Sequence, residues 1–226
     1  MKYKIRGQDL PLVDVELEEG ESVFTESGGM AWMTPNIDMT TNTRGGVMKG
    51  LGRLFSGESF FLNDYMCIQG TGLISFASEF PGKVVPFELK DGESIICQKD
   101  AFMFGDSSVK LETHFRKRLG TGFFSGEGFF LQKLTGPGTV FLEFAGEITE
   151  YELEEDQMLK VSNGYIAAYE PSVDFDLTRV KGVKNMVFGG EGLFLATLKG
   201  PGKVWLQSMP IAALAKKLMP YLPFKR

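Results

Sequence analysis

The sequence predicts an all-β protein, three tandem β-sandwich-like repeats around a pseudo-threefold axis, with a short C-terminal helix. Three observations predict it. First, 28 of the 226 residues are glycine and 20 are phenylalanine, which pairs turn formers with residues that favour a pleated, half-buried surface. Second, FSGESFFL at Phe55–Leu62, FSGEGFFL at Phe124–Leu131 and FGGEGLFL at Phe188–Leu195 repeat one pattern at intervals of 69 and 64 positions. Third, VELEEGES at Val15–Ser22, FELKDGES at Phe87–Ser94 and YELEEDQM at Tyr151–Met158 repeat out of phase with it, at intervals of 72 and 64.

Taken in order, the repeats cover about residues 10–80, 81–145 and 146–209 of a single domain spanning 1–226. In each, the acidic motif ends one strand in a turn. The strand downstream shows period-two alternation, at Ile37 and Met39, at Val109 and Leu111, and at Val173 and Phe175. The glycine-glutamate pinch then lies between two apolar runs, where glycine tolerates a tight turn or a bulge. A Gly-x-Gly element follows each pinch: Gly70-Thr71-Gly72, Gly136-Pro137-Gly138 and Gly200-Pro201-Gly202. These lack the third glycine and the helix of a dinucleotide fingerprint and read as turns. Alternation resumes after them, as in TVFLEF and KVWLQS. Over residues 210–219, Ile211, Leu214, Ala215 and Leu218 fall at i, i+3, i+4 and i+7, one amphipathic helical face stopped by Pro220. A unit of about 65–70 residues exceeds the usual solenoid period of about 20–50. Closing three such units into a ring leaves no unmatched end.

The net charge of −5 and pI of about 5.1 argue against a general attraction of the whole chain to nucleic acid or anionic lipid, and leave room for a local basic patch. MKYKIRGQDLPLVDVEL lacks the apolar core of a signal peptide, and no apolar run approaches the roughly 18–20 residues that span a bilayer. The expectation is a cytoplasmic protein, or one peripheral at the membrane. Cys67 and Cys97 follow no metal-ligand spacing and read as reduced thiols, Cys97 within a buried strand.

Two residue sets are candidate sites. Glu58, Glu127 and Glu191 occupy equivalent places in the three pinches; they read as turn tips, or as a carboxylate cluster for a hard cation if the repeats converge. Ahead of each pinch lies a basic segment: Arg44, Lys49 and Arg53; Arg116, Lys117 and Arg118; Arg179, Lys181 and Lys184. Threefold closure would gather these into a ring able to hold phosphates. The bland alternative is a set of solvated loops. The lone histidine, His114, is expected to face solvent or to hydrogen-bond structurally, and no nucleophile motif, phosphate loop or zinc motif is present. No catalytic residue, cofactor site or metal site is assigned. Glu18-Glu19 and Glu154-Glu155 are expected at solvated turns, Asp174 and Asp176 on the outside of a strand, and Trp32 and Trp205 in a core or an interface.

The stretch from Glu21 to Met33 (ESVFTESGGMAWM) and the repeated Gly-Glu-Gly resemble, within a similarity covering nearly the whole chain, the family of the mitochondrial protein "altered inheritance of mitochondria twenty-four" and its bacterial and archaeal homologues. The resemblance implies a fold like that of the tryptophan RNA-binding attenuation protein. It supplies no catalytic residue, and fold alone transfers no function. Three functions compete. The leading one is a non-enzymatic scaffold or adaptor for a protein complex or membrane surface. The second is an RNA- or polyanion-binding module using the basic ring. The third is an enzyme or metal site built on the repeated glutamates. The apolar tail of Leu214, Leu218, Tyr221, Leu222 and Phe224 also suits a homo-oligomer.

Overall fold

Alternation marks the second strand, interrupted by the buried Asp14. In LVDVELE (β2, Leu12–Glu18), Val13, Val15 and Leu17 are buried while Glu16 and Glu18 face solvent. The computed structural model describes residues 1–26, 28–42, 62–117, 129–179 and 194–222. Nearly all regular structure there is strand: β1 (Lys2–Arg6), β3 (Ser22–Glu26), β4 (Met30–Met33), β5 (Ile37–Asn42), β6 (Leu62–Cys67) and β7 (Thr71–Ala77) accompany β2. Next come β8 (Gly82–Leu89), β9 (Ser94–Gln98), β10 (Phe102–Asp106), β11 (Lys110–Lys117), β12 (Phe129–Thr135) and β13 (Gly138–Ala145). The last strands are β14 (Ile148–Leu153), β15 (Met158–Ser162), β16 (Ile166–Tyr169), β17 (Asp174–Arg179), β18 (Phe194–Lys199) and β19 (Gly202–Gln207). One helix, α1 (Ile211–Leu218), follows, and a 3₁₀ turn carries it to Tyr221. The expected helix over 210–219 is therefore present.

The chain divides into two compact units. The first (Met1–Glu93, Asp100–Thr113, Leu134–Glu143) contains a four-stranded sheet of order β1-β2-β7-β4 and a six-stranded sheet of order β5-β6-β3-β10-β13-β8. Its core takes Val13, Val15, Leu17, Ile74 and Phe76 from the four-stranded sheet and Val23, Tyr65, Phe104 and Phe141 from the six-stranded one. Phe76 stacks on Phe104 at 4.0 Å and Phe104 on Phe141 at 4.2 Å, nearly parallel, and Tyr3 meets Phe141 edge-on at 4.8 Å. This column of rings joins the two sheets.

The second unit (Ser94–Lys99, His114–Lys133, Phe144–Arg226) is built on a sheet of order β11-β12-β9-β16-β19-β14 and a three-stranded sheet of order β15-β18-β17. Its core includes Ile96, Leu131, Ile166, Tyr169, Leu198 and Val204. Tyr169 stacks on Phe175 at 5.8 Å, and among the described residues its fully buried hydroxyl has no hydrogen-bond partner.

The acidic motif has a local physical cause. Glu21 Oε2 accepts the Glu18 N–H at 2.9 Å, Glu93 Oε2 accepts that of Lys90 at 3.0 Å, and Gln157 Oε1 accepts that of Glu154 at 2.9 Å. Between them, Gly20, Gly92 and Asp156 adopt φ of 84°, 78° and 65°, where a side chain other than that of Gly, Asn or Asp is strained. The fourth residue of each turn is thus a cap. Glu18, Glu19, Glu154 and Glu155 are exposed, as expected. The Gly-Pro-Gly elements are also packing devices: a Cβ on Gly136 would lie 2.5 Å from the Lys90 carbonyl oxygen, and one on Gly200 would meet that of Glu154.

Two further features recur. A register shift falls between Met30 and Trp32 where β4 meets β7, between Phe102 and Phe104 where β10 meets β13, and between Ile166 and Ala168 where β16 meets β19. Beyond each shifted strand a side-chain oxygen clasps the partner strand. Thr34 accepts the Leu73 N–H at 3.0 Å, Asp106 that of Thr139 at 2.6 Å, and Glu170 that of Lys203 at 2.9 Å.

Three stability effects are expected, each read as the midpoint of urea unfolding. Phe104→Ala opens the ring column and costs about 3–5 kcal/mol. Gly92→Ala forces alanine into the left-handed region and costs about 1–2 kcal/mol, although its Cβ would meet nothing. Tyr169→Phe removes an unpaired buried hydroxyl and leaves stability unchanged or raises it by about 1 kcal/mol.

Candidate functional site

Most residues singled out from the sequence lie outside the described part of the chain: Arg44, Lys49, Arg53, Arg118, Lys181, Lys184, Glu58, Glu127 and Glu191. Arg116 and Lys117 occupy the last two positions of β11, and Arg179 the last of β17. His114 is exposed on β11, as expected; partial desolvation and the Lys133 charge hold its imidazole below the ordinary histidine range. Cys67 and Cys97 are buried thiols that form no disulfide with each other. Asp174 and Asp176 face outward while Leu177 is buried. Trp205 is buried in the core, whereas Trp32 is half exposed. Among the described residues, no three His, Cys, Asp or Glu side chains group to hold a metal ion.

The described charged clusters are structural. Asp14, buried in β2, receives the Ser75 hydroxyl at 2.6 Å and the Arg6 guanidinium at 2.7 Å. Glu150 receives Lys203 Nζ at 2.7 Å and the Trp205 indole N–H at 2.8 Å, which lowers its pKa, the lysine contributing most. An open groove of about 610 Å³ at the strand ends of the second unit is lined by Glu152, Glu154, Glu155, Ser172 and Pro201. Its charge is of one sign.

Glu143 was not singled out, although an acid between Leu142 and Phe144 in TVFLEF was the available signal. It is buried in β13, and its Oε2 lies 2.7 Å from Ser78 Oγ. No cation meets it. Burial pushes its carboxyl up to about 7, with the nearby charges of Glu79 and Asp100 adding to the rise and the Ser78 hydrogen bond opposing it. Ser78 Oγ is also 2.9 Å from the Phe80 carbonyl oxygen. One hydroxyl proton serves only one acceptor. A protonated Glu143 resolves this, donating to Ser78 Oγ while Ser78 donates to Phe80.

The remaining feature is α1. Gln207 pins its entry, donating to the Gly164 carbonyl at 3.0 Å and accepting the Ala145 N–H at 3.0 Å. Gly164 packs there against Pro210, the residue before the helix; a Cβ on it would lie 2.6 Å from the proline ring. Leu214 and Met219 are half-buried. Ile211, Leu218, Leu222 and Tyr221 are not: they are 36, 51, 53 and 86 % exposed. These four side chains put an exposed apolar stripe on one short stretch of chain.

The Glu143 carboxyl keeps its proton in the native state up to about pH 7 and in the unfolded chain only to about 4.5. Its contribution to stability is fully present below 4.5 and is lost as pH rises through 7. Glu143→Gln is therefore expected to match the parent at pH 4 and to exceed it by about 2–3 kcal/mol at pH 8, measured by urea unfolding at both values.

The family model for "Mitochondrial biogenesis AIM24" matches residues 3–209. An uncharacterized protein of Streptococcus pyogenes serotype M6 is 31 % identical over 234 aligned residues, covering 99 % of this chain and 92 % of its own. A crystal structure of a Streptococcus pyogenes protein, solved as a structural genomics target, superposes with a TM-score of 0.80 at 28 % identity, over 98 % of this chain and 99 % of that one. With the family model matching all but the ends of the sequence, this β-rich chain belongs to the mitochondrial biogenesis AIM24 family.

Proposed function

We propose that this chain is a non-enzymatic scaffold, in which β2–β7, β8–β13 and β14–β19 are three copies of one unit that hold a binding element in place. The observation that carries this reading is the exposed apolar stripe of α1, fixed at its root by Gln207. Two buried carboxylates lend support: Asp14 is committed to Ser75 and Arg6, and Glu143 to Ser78, so neither is left to a substrate. The clasps and turn caps likewise spend their side chains on backbone N–H groups. A body so committed suits rigidity better than turnover.

Leu218→Asp combined with Leu222→Asp tests it. Both side chains are half exposed, so the double variant is expected to melt within about 3 °C of the parent. In sedimented cell extracts the parent is expected in assembled or membrane-bound fractions and the variant in the free fraction. Recovery of the parent as free chain overturns the proposal.

A further inference from the structure

We infer that α1, with the turn that carries the chain on to Leu222, seats on an anionic lipid surface; this rests on the scaffold reading and names the partner of the same helix. Two observations favour lipid over a second copy of the chain. The first is the character of the stripe. Ile211 and Leu218, two turns apart, share one helix face, and Leu222 and Tyr221 extend the apolar surface past the 3₁₀ turn. Tyr221, the most exposed of them, joins an apolar ring to a polar tip, which suits a bilayer interface.

The second is charge. Residues 211–226 contain Lys216, Lys217, Lys225 and Arg226 and no acid, within a chain whose net charge is −5. The preceding 210 residues therefore carry a net −9. The cations lie in the same stretch of sequence as the apolar stripe, the combination that places a helix in an anionic headgroup layer. A second copy would instead offer the same segment, with four cations and no acid in its sequence, so like charge would meet like charge. Lys217 is exposed.

The full chain is centrifuged with phosphatidylcholine vesicles and with mixed phosphatidylcholine–phosphatidylglycerol vesicles, at low and high salt. Binding is expected only to the mixed vesicles, falling with salt. Lys217→Gln, which leaves the apolar stripe intact, is expected to weaken it about fivefold. Leu218→Ser with Leu222→Ser is expected to weaken it at least about tenfold without loss of the folded melt. Failure to bind mixed vesicles at low salt, equal binding to both vesicles, or binding unmoved by the leucine changes overturns the inference. Sedimentation velocity of the same proteins separates the two readings. If vesicles are ignored but the leucine changes dissociate an oligomer, the lipid partner falls and the scaffold stands. If neither changes, both fall.

Discussion

The column of Phe76, Phe104 and Phe141 is the contact on which the first unit turns. Each ring comes from a different strand, and near-parallel stacking at 4.0 and 4.2 Å leaves little freedom for β7 to slide against β10 and β13. That constraint propagates. Ser78 lies two residues beyond Phe76, and Glu143 two beyond Phe141, so the stacked rings set the offset at which hydroxyl and carboxyl meet at 2.7 Å. A one-residue slip would turn every core side chain of β7 to the opposite face and separate the pair.

The acids of this fold meet their neighbours in different ways. Buried Asp14 and exposed Glu150 each receive a neutral donor and a cation, which for Glu150 lowers the pKa. Glu143 meets neutral donors, the Ser78 hydroxyl and the Glu79 backbone N–H, and the side chains of its neighbours Glu79 and Asp100 are acidic. The carboxyl responds by holding its proton toward neutrality. The difference lies in the neighbours rather than in the acid.

The same contrast applies to apolar groups. Both units bury their aromatic and branched side chains between sheets. The helix that follows β19 does not complete that pattern: only Leu214 and Met219 lean on the body, and the remaining stripe faces outward. A helix of eight residues is marginal on its own, so its anchor through Gln207, Gly164 and Pro210 matters to its orientation as much as its amphipathic pattern.

Period-two alternation, glycine punctuation and two recurring motifs were enough to read an all-β chain with a terminal helix, because those signals are local: side-chain direction in a strand and the need for positive φ at Gly20 and Gly92 depend on near neighbours. The acidic motif was legible as a turn, but not the capping role of Glu21, Glu93 and Gln157, which depends on each side chain bending back to the N–H three residues earlier. Sequence also placed Cys97 in a buried strand and left His114 either facing solvent or in a structural hydrogen bond; it is exposed. It did not reveal Glu143, whose proton affinity depends on Ser78, Glu79 and Asp100, residues more than forty positions away. Nor could it decide which side of α1 would be covered. Helical periodicity defines an apolar face, whereas the surface that face meets is set by where β19 ends and how Gln207 holds the turn, and only the tertiary structure decides that.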